Sequence, residues 1–155
     1  MRPPLLDDKD IAILEILQRN GQLSHAEIGR AVGLGVSAVN ERIRKLVQTG
    51  VISGWVARLA PAALGLDLLA FVYVLLERPE NAPPFLELVA QLPEVQECHH
   101  TAGDWNFVLK IRVRNTVALE ALLTNRLKAV PGVMRTHTVI ALTSHKDTAA
   151  LAIRS

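Results

Sequence analysis

The stretch from Gly35 to Leu46, GVSAVNERIRKL, combines apolar and hydrogen-bonding residues at helical spacing. Its apolar positions recur every three or four residues, which predicts an amphipathic helix. The other side of that helix would present Ser37, Asn40, Glu41, Arg44 and Lys45. Asn can make two hydrogen bonds to adenine and Arg can make two to guanine, while Lys and Ser reach phosphates. These residue types could read double-stranded DNA, although a polar helix face is often only a solvated surface.

The residues before this stretch predict two helices that would hold it in place. Asp7, with Asp10 three residues later, is a favourable start for a first helix. Ser24 and Glu27 form the S-x-x-E capping box of a second helix, and Gly33 is placed to end that helix in a left-handed turn. Short helices joined by a tight turn that contains glycine are typical of a helix-turn-helix.

The third helix would run from Val36 to about Gln48 and form the second helix of that motif, which lies in the DNA major groove. After Gly50, the sequence VISGWVARL is rich in β-forming residues and predicts a short strand or wing. The first sixty residues hold eight Lys and Arg against six Asp and Glu, so they carry the whole net charge of +2. This weak excess is compatible with a nucleic-acid partner.

Composition limits the other possibilities. A chain of 155 residues fits one ordinary domain or two small ones. No segment approaches the ~18 consecutive apolar residues of a membrane span. Cys98 is the only cysteine, so no intramolecular disulfide can form, and we expect a cytoplasmic protein.

The pattern changes near Leu68, which marks a second domain. Four strands are predicted there, at residues 68–77, 95–103, 105–114 and 133–145, and two helices, at residues 85–92 and 115–130. The middle two strands meet at a Gly103-Asp104 turn. This β-α-β-β-α-β order is the ferredoxin-like plan, with an antiparallel sheet and both helices on one face. The fold class is therefore α+β, with a helix-turn-helix domain at 1–52, a strand or linker at 53–67, and a ferredoxin-like domain at 68–155.

The first strand of the second domain is apolar on both faces. Its two alternating sets of residues are Leu69, Phe71 and Tyr73, and Ala70, Val72 and Val74. Soluble monomers rarely expose an apolar patch as large as an uncovered sheet face. We therefore expect a dimer in which a second copy covers that face.

Several short motifs together resemble the Lrp/AsnC family of transcriptional regulators, the feast/famine regulatory proteins. The resemblance extends to about Leu142 and rests on Leu6, Asp7, Asp10, Ile13, Leu14, Arg42, Ile43, Leu46, Gly50, Val51, Ile52, Pro61, Leu64 and Gly65. It implies a sequence-specific DNA-binding regulator, not an enzyme, with a winged helix-turn-helix followed by a ferredoxin-like RAM domain. It also implies dimers that often assemble into octamers. Where this chain has Gly35, the family usually has Ser, which can cap the third helix.

The motif GDWNFVL resembles the family's Gly-Asp-x-Asp-x-x-Leu loop, which lies at subunit contacts and helps to bind a small effector, typically an amino acid. The candidate effector contacts are Thr101, Gly103, Asp104, Asn106, Thr136 and Thr138. His137 could also lie near this loop. Asn106 replaces the family's second acid, and an ammonium group favours a nearby carboxylate, so a different effector, weaker binding or no effector stays open.

Three other interpretations compete with this one. Cys98, His99 and His100 suggest a metal, but strand neighbours point to opposite faces, so only two of them could share an ion, and two ligands do not make a site. We predict no metal and no cofactor. Sirohaem decarboxylases resemble the same two-domain plan, and His99 or His100 with Arg112 could grip such a macrocycle. The third interpretation is a regulatory module that has lost DNA binding and only pairs with a relative.

Overall fold

The computed structural model describes residues 5–153, so the outermost residues of the predicted domain ranges, 1–4 and 154–155, lie outside it. The chain divides into two compact units. The first comprises the residues up to Arg58 together with those from Lys146 onward, and the second comprises Leu59–His145. The second unit therefore ends before the predicted range of 68–155, because the C-terminal segment packs with the helix-turn-helix.

Three helices form the first unit, as the capping signals predicted. They are α1 (Asp8–Arg19), α2 (His25–Val32) and α3 (Val36–Gln48). Both capping boxes are present, Asp7 with Asp10 at α1 and Ser24 with Glu27 at α2. Gly33 has φ 69° and ends α2 in the left-handed conformation. Helices α1 and α2 therefore begin where their capping hydrogen bonds dictate.

The core of the first unit forms where the three helices meet. Ile13 of α1, Ile28 of α2 and Val39 of α3 are all fully buried there. Ile43 and Leu46 complete the buried stripe of α3, as predicted from their spacing. Val36, which the same periodicity placed on the apolar side, is 53% exposed because it is the first residue of α3 and lies beyond the packed stripe.

The turn between α2 and α3 is tight because α2 has no side chain at Gly29. A Cβ atom at this position would lie only 2.5 Å from the carbonyl oxygen of Leu34. The N–H of Leu34 donates to the carbonyl of Gly29 at 2.9 Å. This close approach of two backbone segments fixes where α3 begins.

The predicted strand or wing after Gly50 is not a strand in the described part of the chain. Residues 51–60 have no regular secondary structure. Val51 and Ile52 pack against the helical core, and the Trp55 ring lies over Gly21. A strand needs a neighbour to complete its hydrogen bonds, and the described residues of this unit contain no other strand.

The C-terminal segment joins the first unit through the side chain of Gln18 on α1. Its Oε1 accepts from the N–H of Leu151 at 2.6 Å, and its Nε2 donates to the carbonyl of Leu151 at 3.2 Å. Ile153 packs against the helical core. The side-chain amide of Gln18 thus pairs with both backbone groups of Leu151, 133 positions further along the sequence, as a residue of a neighbouring strand would.

The second unit has the predicted β-α-β-β-α-β order. Its elements are β1 (Leu68–Leu76), α4 (Ala82–Ala90), β2 (Val95–His100), β3 (Phe107–Val113), α5 (Thr116–Leu122), continued by a π-helical turn (Leu123–Leu127), and β4 (Val133–Ala141). The sheet order is β2-β3-β1-β4, and every neighbouring pair is antiparallel. This is the ferredoxin-like arrangement.

Alternation along the strands sorts the second unit's residues between two faces of the sheet. Val72 and Val74 of β1 and Leu109 of β3 lie on the face that packs against Phe85 of α4 and Leu127 after α5. We call the opposite face the outer face. Phe71 and Tyr73 lie on it and are half-buried. Within residues 5–153, no helix is long and apolar enough to cross a lipid bilayer.

Candidate DNA-binding surface and hairpin site

The polar side of α3 is an exposed surface. All five residues predicted to contact DNA lie on it and are exposed: Ser37, Asn40, Glu41, Arg44 and Lys45. The buried residues Val39, Ile43 and Leu46 attach the opposite side of the helix to the core. The helix therefore presents hydrogen-bond donors and acceptors to the outside from a fixed base. We call this set the α3 polar face.

An ion pair lies within the α3 polar face. Nη2 of Arg44 is 2.7 Å from Oε1 and 2.8 Å from Oε2 of Glu41. The side chains are 60% and 65% exposed, respectively. Both carboxylate oxygens therefore share one guanidinium nitrogen, and the other nitrogens of Arg44 are left to bind elsewhere.

Arg42 ties α3 to the start of α1. Its Nη1 lies 2.7 Å from Oδ1 of Asp10 and 2.7 Å from Oδ2 of Asp7. Hydrogen bonds to Asp10 and then Asp7 raise the pKa of Arg42. The backbone N–H of Asp10 and then the Arg42 guanidinium lower the pKa of Asp7. Arg42 belongs to the family motif, but the clamp joins residues 32 and 35 positions apart, so no local sequence signal reveals it.

Helix α3 begins without a capping side chain. Gly35 is its N-cap residue, with φ −71° and ψ 157°, and it has no side chain that could accept a hydrogen bond from the first turn. Apart from its two chain neighbours, no atom of residues 5–153 lies within 4 Å of a Cβ built at Gly35. The position has room for the Ser that the resemblance led us to expect.

The predicted turn between β2 and β3 is a hairpin whose ends are hydrogen-bonded. The N–H of Thr101 donates to the carbonyl of Asn106 at 2.9 Å, and the Thr101 hydroxyl donates to the carbonyl of Trp105 at 2.7 Å. Gly103 has φ 130°, a conformation that L-residues rarely adopt. Four of the predicted effector contacts, Thr101, Gly103, Asp104 and Asn106, lie in this hairpin.

Asn106 fastens the hairpin to β1. Its N–H donates to the carbonyl of Val74 at 3.0 Å, and its Oδ1 accepts from the N–H of Leu76 at 2.7 Å. An Asp carboxylate would accept the same hydrogen bond. Replacing the family's acid by Asn106 therefore keeps the hairpin's attachment and removes one negative charge.

A ring cluster, formed by Tyr73, Trp105, His137 and Arg135, lies beside the hairpin. The rings of Trp105 and His137 are stacked with centroids 5.9 Å apart, and Tyr73 is 5.9 Å from His137. The guanidinium carbon of Arg135 lies 4.7 Å from the Trp105 centroid, which is a cation–π contact. The expectation that His137 lies near the loop is therefore confirmed.

Thr136 and Thr138 lie apart from the ring cluster. They pair with Val74 and Val72 of β1, whose side chains are in the helix-covered core. Directly paired residues of antiparallel strands share a face, so the two threonines point to the helix side while His137 points to the outer face. The structure thus brings the hairpin residues together with Trp105 and His137 rather than with the threonines. Alternation along β4 was the available sequence signal for this separation.

The Cys98, His99 and His100 group is divided among different surroundings. Cys98 packs against the core, and burial raises the pKa of its thiol. The ring centroids of His100 and Phe107 lie 5.1 Å apart. His99 is 3.3 Å from Glu97, whose pKa is lowered by Lys110 and then by His99. Among the described residues, no three His, Cys, Asp or Glu are placed to hold a metal.

The exposed polar helix of a helix-turn-helix unit, followed along the chain by a ferredoxin-like unit, defines the class of a two-domain transcriptional regulator. A family model described as winged helix-turn-helix DNA-binding matches residues 6–53. A model described as the Lrp/AsnC ligand binding domain matches residues 69–151, more than half of the chain. The chain belongs to the Lrp/AsnC family of transcriptional regulators.

Relatives of known function agree with this assignment. The chain is 40% identical over 154 residues to the HTH-type transcriptional regulator FL11 of Pyrococcus horikoshii. The aligned residues cover 99% of this chain and 100% of the relative. The chain is 38% identical over 152 residues to the leucine-responsive regulatory protein of Escherichia coli, with 97% and 93% covered. These relatives are regulators, and neither they nor the matching family models support the decarboxylase alternative. The protein is a DNA-binding regulator rather than an enzyme.

Solved structures show the same architecture. A transcriptional regulator of Neisseria meningitidis in complex with L-methionine matches with a TM-score of 0.92 and 28% identity, covering 95% of this chain and 96% of that one. AsnC of Escherichia coli matches with a TM-score of 0.89 and 28% identity, covering 95% and 99%. The two-unit fold described above is therefore the fold of these regulators.

Proposed function

We propose that the α3 polar face is the surface that reads DNA sequence. The observation that carries this proposal is that all five of its residues are exposed while α3 is anchored through its buried stripe. Asn40 and Arg44 have the side chains for base-edge contacts, and Ser37 and Lys45 have those for phosphates. In helix-turn-helix proteins the second helix of the motif makes such contacts in the major groove.

We further propose that two copies act together. The outer face, with half-buried Phe71 and Tyr73 on β1, supports a dimer in which a second sheet covers it. A dimer would place two α3 helices one or more helical turns of DNA apart, on a site with approximate two-fold symmetry. Assembly of dimers into octamers is a further proposal, supported by the resemblance to the family. Because its partner is DNA, we propose that the protein acts in the cytoplasm.

The effector proposed for the second unit is an amino acid or a related metabolite. Support comes from the leucine-responsive relative and from the neighbour solved with L-methionine. The proposed contacts are the hairpin residues Thr101, Gly103, Asp104 and Asn106, to which we add Arg135. Thr136 and Thr138 are left out because they point to the helix side of the sheet. Because Oδ1 of Asn106 is engaged by Leu76, Asp104 is the hairpin carboxylate that could meet an ammonium, and Arg135 could meet a carboxylate.

The DNA proposal is tested by selecting a duplex from a random pool with the wild-type protein and measuring its affinity by fluorescence anisotropy. Arg44→Ala should weaken binding by about 1–3 kcal/mol if Arg44 contacts a base. If Arg44 contacts a phosphate, the slope of log K against log[salt] should become shallower by about one. Arg126→Ala, an exposed arginine of the second unit, is the matched control and should bind as wild type does. Unchanged affinity and salt dependence for Arg44→Ala would contradict the proposal.

The effector proposal is tested by thermal shift with each of the twenty amino acids. A ligand present at 100 times its Kd should stabilise the protein by about 2.7 kcal/mol. Arg135→Ala should lose the response to a ligand held by its carboxylate, whereas Arg126→Ala should keep it. No shift with any amino acid would contradict the proposal of an amino-acid effector.

A further inference from the structure

The α3 polar face contains one acid, Glu41, among residues suited to binding an anionic polymer. Its carboxylate is engaged by Nη2 of Arg44 through both oxygens, at 2.7 and 2.8 Å. An exposed ion pair three positions apart on a helix adds little to folding stability, because solvent screens it and ordering two long side chains costs entropy. Stability is therefore a weak reason for an acid at this position.

The charge of Glu41 opposes binding to every duplex, whatever its sequence. Binding without sequence preference comes from neutralisation of phosphates by Lys and Arg, with release of counterions. A carboxylate beside Arg44 offsets one such charge. It also competes with phosphates for the guanidinium, which would otherwise bind any phosphate within reach.

We propose that Glu41 is a positioning residue that makes DNA binding selective, acting through Arg44. This inference rests on the proposed function of the α3 polar face. Glu41 occupies Nη2 of Arg44, the nitrogen that both two-donor edges of the guanidinium share, and leaves Nε and Nη1 for single hydrogen bonds to base acceptors. The pair lowers affinity for arbitrary sequences more than for the correct site, because only a correctly placed guanine acceptor compensates for the repelled phosphate.

The test compares Glu41→Gln with Glu87→Gln, which removes the same charge from an exposed position on α4 of the second unit. The affinities of a duplex selected with wild-type protein and of a mixed-sequence duplex of equal length are measured at several salt concentrations. For Glu41→Gln, affinity for the mixed-sequence duplex should rise up to about eightfold at 0.1 M salt, with a salt slope steeper by about 0.9. Affinity for the selected duplex should rise less or fall, so the ratio of the two affinities should drop at least threefold. Glu87→Gln should change neither affinity by more than twofold.

The dependence on Arg44 is measured by repeating Glu41→Gln in an Arg44→Ala background. In that background, the affinities for both duplexes should change by the same factor, because no guanidinium remains to be oriented. The proposal is overturned if Glu41→Gln in the wild-type background changes the affinities for both duplexes by the same factor or changes neither affinity. If Arg44→Ala alone binds as wild type does, the α3 polar face itself is not the DNA surface, which is a separate failure. Circular dichroism melts with equal midpoints establish that each variant is folded.

Discussion

Replacing Gly29 by Ala tests whether the tight α2–α3 turn fixes the recognition helix. A Cβ at this buried position would meet the Leu34 carbonyl oxygen at 2.5 Å, a distance that requires the backbone to move. The helix itself would favour Ala by about 1 kcal/mol. Two effects lower the folding stability: overpacking, by about 1–3 kcal/mol, and loss of the Leu34–Gly29 hydrogen bond, by about 0.5–1.5 kcal/mol.

The expected net loss is ~2 kcal/mol, which would lower Tm by about 8–16 °C for a unit of this size. The two tryptophans lie in different units, Trp55 in the first and Trp105 in the second. Trp105→Phe therefore leaves Trp55 fluorescence as a reporter of the first unit during thermal unfolding.

Gly54→Ala is the matched control, because within the described part of the chain only its two sequence neighbours come within 4 Å of a Cβ at Gly54, and its φ is not positive. That change should leave stability unaltered or raise it by up to about 1 kcal/mol. If Gly29→Ala melts at or above the wild-type temperature while Gly54→Ala behaves as expected, the Leu34 carbonyl moves aside without cost. The reasoning from close backbone approach would then be refuted.

Three further predictions concern local features of the first unit. Gly35→Ser should raise its stability by a few tenths of a kcal/mol by supplying an N-cap hydroxyl, and a urea midpoint no higher than that of wild type would count against this. Hydrogen bonds lower the pKa of Asp7 in the folded state, so its charge stabilises the fold above the unfolded pKa, and this contribution is lost as pH falls through the lower folded pKa. Wild type should therefore be more stable than Asp7→Asn at pH 7, and the difference should shrink below about pH 3.9 in urea melts; a difference that does not depend on pH would contradict the charge argument. Gln18→Ala should accelerate hydrogen exchange of the Leu151 amide roughly fivefold or more, corresponding to loss of about 1 kcal/mol per hydrogen bond, whereas equal exchange rates would show that the side-chain amide does not hold the segment.

Local signals in the sequence predicted most of the helices and strands. The Asp7 and Ser24 capping boxes each join residues three positions apart, and their hydrogen bonds form within a single turn of helix. The apolar spacing along α3 similarly identified Val39, Ile43 and Leu46 as buried. Such features depend on neighbours one turn away, so the order of residues is enough to reveal them.

Sequence reasoning did less well where the outcome depended on a distant partner. The segment after Gly50 has β-forming residues, yet residues 51–60 form no strand because the described part of this unit offers no strand to pair with. Thr136 and Thr138 were grouped with the hairpin, but the register of β4 against β1 turns them to the helix side. Alternation along β4 separates both threonines from His137, but it does not reveal which of the two sets faces the helices.

By itself, the sequence determined the boundaries of α1, α2 and α3, the α+β order and the polar composition of α3, because capping and periodicity act over three or four residues. Only the tertiary structure decided that Arg42 clamps α3 to α1 and that Gln18 holds Leu151. It alone also decided that Trp105 stacks on His137. These contacts join residues from 32 to 133 positions apart, and they exist only once packing has closed the intervening chain into a particular register.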